Sequence, residues 1–313
     1  MRSFTCVCGQ TLSFENSVCL RCGRAVGYAR DARDVRPLDG MVPCANLDLN
    51  GCNWIPEVAG DLCFACRLTR TRPNDADLEG MPQYYRAEQA KRRLLFELDR
   101  IGLPVEPFDD ATGRGLAFDL LSSVAEDVTT GHAGGIITLD LAEGDAVHRE
   151  QVRLHLGEAY RTLLGHFRHE IGHYYWTVLV EPGDLDGFRA VFGDERVSYD
   201  EAVSRHYAEG PPPGWEETFV SSYATMHPWE DFAETFAHVL HIRDALETAH
   251  ETGLSVDPQL ATRDFGDVVL GTWVPLSAAL NQMNRSLGHG DLYPFVLPPV
   301  VVDKLSWVDA LLR

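Results

Sequence analysis

A chain of 313 residues, 45% of them hydrophobic, is long enough for a small module beside a larger domain with its own core. Its 47 acidic against 27 basic residues give a formal net charge of -20, which repels a phosphate backbone and argues against nucleic-acid binding. No run of about 18 apolar residues is present to span a bilayer, and the first residues show no signal-peptide pattern, so a cytoplasmic, reducing setting is expected.

All eight cysteines fall between Cys6 and Cys66. Cys6-Val7-Cys8-Gly9 and Cys19-Leu20-Arg21-Cys22-Gly23 are two short knuckles separated by ten residues. Each is followed by Gly, which lets the backbone turn its N–H groups toward the sulfurs. This is the pattern of a ribbon holding one tetrahedral zinc, with a CxC where CxxC is more usual. Cys44, Cys52 and the pair Cys63 and Cys66 make a second group of four, for which a second structural zinc is expected. Cysteines shared between the two sites, or iron in the ribbon, are the competing arrangements. Closed four-cysteine sites leave no position for chemistry and serve to fold a segment too small for its own core.

The segment Thr71-Arg72-Pro73-Asn74-Asp75 marks a change of character, so residues 1–72 are read as the cysteine-rich module and 73–313 as a second domain. Good helix formers with an apolar stripe predict a helix from Tyr84 to Ile101, ended by Gly102 and Pro104. Strands are expected at Gly115–Leu121 and Gly135–Leu141, then one long helix from about Ala146 to Val180. Pro182–Gly214 reads as irregular with short helical patches. A further helix opens at His227-Pro228, where proline suits the first turn, and runs to about Ala249. From Asp264 helical stretches alternate with the Pro-rich LYPFVLPPVV. The order suits an α+β protein, mostly helical with a small sheet.

Within the long helix, Arg168-His169-Glu170-Ile171-Gly172-His173-Tyr174-Tyr175-Trp176 contains HExxH. Positions i and i+4 share a helix face, so His169 and His173 offer imidazole nitrogens to one ion. Zinc lowers the pKa of a bound water to about 7, and Glu170 is placed to take its proton as general base. The same residue then returns the proton to a leaving amine. Two solvated or core histidines on an amphipathic helix are the bland alternative, which Ile171 and the following aromatic run oppose. His166, one turn upstream, is poorly placed as a ligand.

A catalytic zinc needs a third protein ligand and an open position. Glu230 and Glu234 are again i and i+4 on a predicted helix. One carboxylate can bind zinc while the other accepts a hydrogen bond from a liganding histidine. Asp194, Glu195 and His206, in the long stretch before that helix, are the rival ligands. Asp231 reads as only a first-turn charge.

HEIGH followed by Tyr-x6-Glu-Asp-Phe-Ala-Glu resembles the gluzincin metallopeptidases, in particular the anthrax lethal factor and Pro-Pro endopeptidase branch. That resemblance implies Glu230 as third ligand, Glu234 as the carboxylate bonded to a liganding histidine, and Tyr223 as the phenol that stabilises the oxyanion. The gap between His173 and Glu230 is longer than in that branch, and its insert either caps the cleft or supplies another ligand. Nearly the whole chain is similar to a bacterial group of zinc-binding metallopeptidases with an N-terminal zinc ribbon. The fold implied is a zinc-ribbon module followed by a zincin-like domain. Zincin-type peptidases hold extended substrate on an edge strand preceding the active-site helix, a place that Gly135–Leu141 occupies in the chain order, and an ordinary core strand is an equally good reading of it.

The expected activity is hydrolysis of a peptide or protein, with one catalytic and two structural zincs. The alternative is a non-enzymatic zinc scaffold that binds a protein partner through the ribbon, with an inactive HEIGH domain.

Overall fold

A computed structural model describes residues 2–123, 128–254 and 263–313, a mixed α/β chain about half helical with small sheets. Two compact units emerge, 1–149 and 150–313.

The first unit opens with two antiparallel hairpins. These are β1 (Phe4–Thr5) with β2 (Thr11–Leu12), and β3 (Val26–Ala29) with β4 (Asp34–Pro37). Two short helices follow, α1 (Leu47–Asn50) and α2 (Phe64–Arg67), then strand β5 (Thr69–Thr71) and helix α3 (Gly80–Ile101). Gly102, in the left-handed region at φ 81°, ends α3 where the sequence predicts, while its start lies four residues upstream of Tyr84. Strands β6 (Ala117–Leu121), β7 (Gly131–Ala133) and β8 (Ile136–Asp140) complete a four-stranded sheet in the order β5-β6-β8-β7.

The two expected strands are β6 and β8, paired in parallel from Ala117 opposite Ile136 to Leu121 opposite Asp140. Of the two readings of the second, substrate-holding edge or ordinary core strand, the pairing supports the latter. Strand β8 is bonded to β6 on one side and to β7 on the other, so its main chain is already committed to the sheet.

The hydrophobic effect explains why the first compact unit reaches past residue 72. Phe4, Phe14, Tyr28 and Trp54 of the cysteine-rich part are buried with Phe96 of α3. Ring centroids lie 4.7 Å apart for Phe14 and Phe96 and 4.8 Å for Tyr28 and Trp54. Aromatic side chains of this size dominate core energetics, so the module and α3 share one core.

Helix α4 (Ala146–Leu156) spans the boundary between the units in sequence. The second unit contains α5 (Leu163–Tyr175), a π-helical turn at Trp176–Val180, α6 (Leu185–Phe192) and α7 (Tyr199–Glu209). After these come α8 (Pro228–Glu251), α9 (Phe265–Val268), α10 (Val274–Ser286) and α11 (Pro299–Leu311). The single helix expected over 146–180 is therefore two helices and a π turn. Gly157, at φ 65°, follows the end of α4, and the Thr162 hydroxyl accepts the Gly165 N–H at 3.0 Å to start α5 afresh. The segment 182–214 is more helical than expected, because Asp184 and Ser198 each accept an N–H at a helix start.

Helices α5 and α8 form the heart of this unit. Phe167, Ile171 and Tyr175 of α5 and Phe232, Phe236 and Leu240 of α8 are fully buried. Tyr175 stacks on Phe236 at 5.5 Å. Gly172 lets the backbones approach, since a Cβ there would lie 2.9 Å from the Ala233 Cα. The glycine of HEIGH is thus a packing requirement.

Candidate active site

The two cysteine groups each converge on a point. In the first, Sγ atoms are 3.8 Å apart for Cys6 and Cys22 and 3.6 Å for Cys8 and Cys19. In the second, Cys52 and Cys63 are 3.5 Å apart, and the Cys63 N–H reaches the Cys44 Sγ at 3.3 Å. Within each group the four sulfurs lie no more than 4.8 Å from one another. A tetrahedron with Zn–S bonds of about 2.3 Å has S···S edges of about 3.8 Å, so both groups fit zinc. All eight cysteines are free thiols, and no cysteine is shared between the groups. Asn50, buried with the second group, points its amide at the Cys66 sulfur (3.9 Å) and the Tyr84 hydroxyl (3.4 Å).

Helices α5 and α8 bring His169, His173 and Glu230 together. The two Nε2 atoms are 3.2 Å apart, and Glu230 Oε2 lies 3.0 Å from that of His169 and 3.4 Å from that of His173. Tetrahedral ligand atoms at about 2.0–2.1 Å from a zinc stand about 3.3 Å apart, and this triangle has that size. Behind it, His169 Nδ1 is 2.7 Å from Glu234 Oε1, and the Ser221 hydroxyl donates to Glu234 Oε2 at 2.6 Å. Glu230 and Glu234 are separated by one helical turn, so one faces the imidazole Nε2 atoms while the other reaches the far side of His169.

The electrostatics follow from burial and pairing. Burial opposes a charge on His169, yet the Glu230 and Glu234 carboxylates hold its pKa well above the ordinary histidine value. Burial likewise opposes ionisation of Glu230, and the facing His173 and His169 outweigh it and hold its pKa well below the carboxylate range. Glu170, 7% exposed, has an Oε2 that meets no hydrogen-bond donor among the described residues. An unsatisfied buried carboxylate oxygen costs about 1–3 kcal/mol or more, so this one, on the helix that carries both imidazoles, is available to a bound water or ligand.

The Tyr223 ring packs 5.7 Å from the His169 ring. Burial, reinforced by the Glu230 carboxylate, pushes the Tyr223 phenol far above its ordinary pKa, so it keeps its proton. The rival ligands are elsewhere engaged. Asp194 pairs with Arg196 at 2.7 Å and Glu195 with Arg189 at 2.5 Å. His206 packs 6.2 Å from the Tyr223 ring, outside the three-residue cluster.

Two features escape the sequence reading. Asp231 is not merely a first-turn charge: it is 1% exposed and bound to Lys304 of α11 at 2.6 Å. Burial pushes its pKa up to about 7 despite that partner. Tyr199, the first residue of α7, donates its hydroxyl to Glu230 Oε1 at 2.8 Å. No spacing rule links these positions, because the contact depends on how the first residue of α7 meets the first turn of α8.

No described helix is long and apolar enough to cross a membrane. Comparison with known proteins matches residues 3–42 to a zinc-ribbon domain. Residues 80–311 match a family described as "Putative zinc-binding metallo-peptidase". Uncharacterized protein Rv2568c of Mycobacterium tuberculosis is 53% identical over 323 residues, covering 98% of this chain and 94% of that protein. Uncharacterized protein Mb2598c of Mycobacterium bovis has the same identity and coverage. No solved structure matches the chain. With that match spanning most of its length, on top of two zinc-sized cysteine clusters and a zinc-sized His-His-Glu triangle, the chain belongs to this zinc-binding metallo-peptidase family, with an N-terminal zinc ribbon.

Proposed function

We propose that the chain is a gluzincin-like peptidase in which His169, His173 and Glu230 hold one catalytic zinc and the cysteine groups hold two structural ones. The observation that carries this reading is the triangle of ligand atoms 3.0–3.4 Å apart, with the buried, unsatisfied Glu170 carboxylate on the same helix. The cysteine module of residues 1–72 and the catalytic domain of 73–313 are the functional division we favour. Eight free thiols in two closed groups suit a reducing compartment such as the cytoplasm.

When bound, zinc supplies a Lewis acid that polarises a peptide carbonyl and acidifies a water. Glu170 takes the proton of the attacking water and delivers it to the leaving amine as the C–N bond breaks. Tyr223, protonated for the reason given above, donates a hydrogen bond to the oxygen on which negative charge develops. Glu234 accepts from His169 Nδ1 and so leaves the Nε2 lone pair free for the metal, while Ser221 fixes the second oxygen of Glu234. The substrate class is a peptide or protein.

The test is zinc content together with cleavage of a peptide library. Wild type and Glu170→Gln are expected to carry three zincs and His173→Ala two, with cleavage by wild type lost in Glu170→Gln. A His173→Ala variant that keeps every zinc would remove the metal from the HEIGH site and leave a non-enzymatic scaffold as the better description.

A further inference from the structure

The chemistry above uses one oxygen of Glu230 and leaves the other to Tyr199. Oε2 faces the two imidazole nitrogens at 3.0 and 3.4 Å, while Oε1 accepts the Tyr199 hydroxyl at 2.8 Å. The phenol is held firmly in place. Its ring packs 5.3 Å from His227 and 6.3 Å from Trp229, the residues flanking Pro228 at the start of α8. His227 is in turn 3.2 Å through Nε2 from the Val197 carbonyl, two residues before Tyr199, and accepts the Trp229 N–H at 3.1 Å. The first turns of α7 and α8 are therefore tied together around the carboxylate.

A carboxylate can bind a metal through one oxygen or both. With both, Glu230 would supply two donors beside the imidazoles and crowd the position that water and substrate need. A hydrogen bond to Oε1 commits that oxygen elsewhere. It also holds Oε2 toward the two imidazole nitrogens before a metal binds, so less freedom is lost on binding, and it keeps a second oxygen from making the metal less electrophilic. Partners of liganding groups commonly set orientation and affinity in this way.

From this arrangement we infer that Tyr199 is a positioning residue that fixes Glu230 as a one-oxygen ligand and keeps the remaining metal position open. The inference rests on the reading of His169, His173 and Glu230 as a zinc site. It also gives a role to the stretch between the HEIGH helix and the glutamate helix, since α7 braces the third ligand from outside.

Tyr199→Phe deletes the hydroxyl and retains the ring against His227 and Trp229. The full chain, loaded with zinc, is titrated with a chromophoric chelator, and the cysteine-bound zincs serve as internal standards. The HEIGH-site zinc is expected to bind about 10–100-fold more weakly in Tyr199→Phe. The cysteine-bound zincs and the melting temperature at saturating zinc stay unchanged. With zinc restored in excess, the acid limb of the cleavage pH profile is expected to move to higher pH. Wild-type affinity and profile in Tyr199→Phe overturn the assignment, as does a lowered melting temperature at saturating zinc, which would mark the hydroxyl as structural. If His173→Ala also retained all its zinc, the site itself would fail rather than Tyr199 alone.

Discussion

Gly172→Ala adds one methyl group where α5 meets α8. Its Cβ would stand 2.9 Å from the Ala233 Cα, and 3.2 Å from both the Ala233 carbonyl oxygen and the Phe236 Cβ. Carbon contacts settle at about 3.5–4.0 Å, so the helices must part by roughly 0.6–1 Å, and two of the three atoms are backbone that cannot rotate away. Overpacking of this kind costs about 1–3 kcal/mol. Alanine recovers about 1 kcal/mol of helix propensity over glycine, which leaves a net loss of about 0–2 kcal/mol. For a unit of this size that lowers the melting temperature by at most about 8 °C. The proposed metal site has no such compensation. Glu230 and Glu234 sit on either side of Ala233 along α8, and ligand distances hold to within about 0.2 Å. A separation several times larger pulls Glu230 from the imidazoles and Glu234 from His169. The expected result is a folded protein whose HEIGH-site zinc affinity falls by at least about tenfold, measured by chelator competition beside a thermal melt. Wild-type zinc affinity in Gly172→Ala would refute the claim that this close approach sets the ligand geometry.

Lys304→Met should destabilise the second unit by about 1–3 kcal/mol, because it leaves the buried Asp231 and the Thr218 carbonyl without their donor. Lys304 is 4% exposed and bonds both Asp231 (2.6 Å) and the Thr218 carbonyl (2.8 Å). Urea denaturation measures the loss, and a change below about 1 kcal/mol would place this pair with exposed ones of little consequence. Acid stability should depend on His238, whose pKa burial pushes down to about 4, with the nearby Glu234 opposing the shift too weakly to restore it. Its Nδ1 lies 2.6 Å from the Tyr293 hydroxyl, and its ring neighbours are Phe295 and His241. The unfolded histidine titrates near pH ~6.5, so between about 6.5 and 4 the unfolded chain holds a proton that the folded chain refuses. Stability from this group is therefore complete above pH ~6.5 and falls as the pH drops toward 4, by about 3 kcal/mol in all. His238→Gln should flatten that part of the pH–stability curve, and an unaltered slope would assign the acid sensitivity to other groups, His241 foremost.

Short-range rules made much of this molecule legible. Spacing of four residues put His169 with His173 and Glu230 with Glu234 on single helix faces, and cysteine spacing sorted the thiols into the groups that converge in space. Glycine and proline signals placed the end of α3 at Gly102 and the start of α8 at Pro228. The same rules failed where two readings cost the chain nearly the same. A periodic pattern over 146–180 could not reveal that Gly157 and Thr162 interrupt it.

The sequence alone determined what the chain can hold: two sets of four thiolates, an imidazole pair with its adjacent carboxylate, and a second carboxylate pair one helical turn apart. Tertiary structure decided which carboxylate oxygen faces which nitrogen, that Gly172 seats α8 against α5, and that Lys304 meets Asp231 across 73 residues of chain. It also decided that Tyr199 closes on Glu230 across 31 residues. The physical reason is one of range. Helix geometry and metal-ligand spacing are written into neighbouring residues, whereas contacts between helices depend on how buried faces interlock, and no local periodicity encodes that.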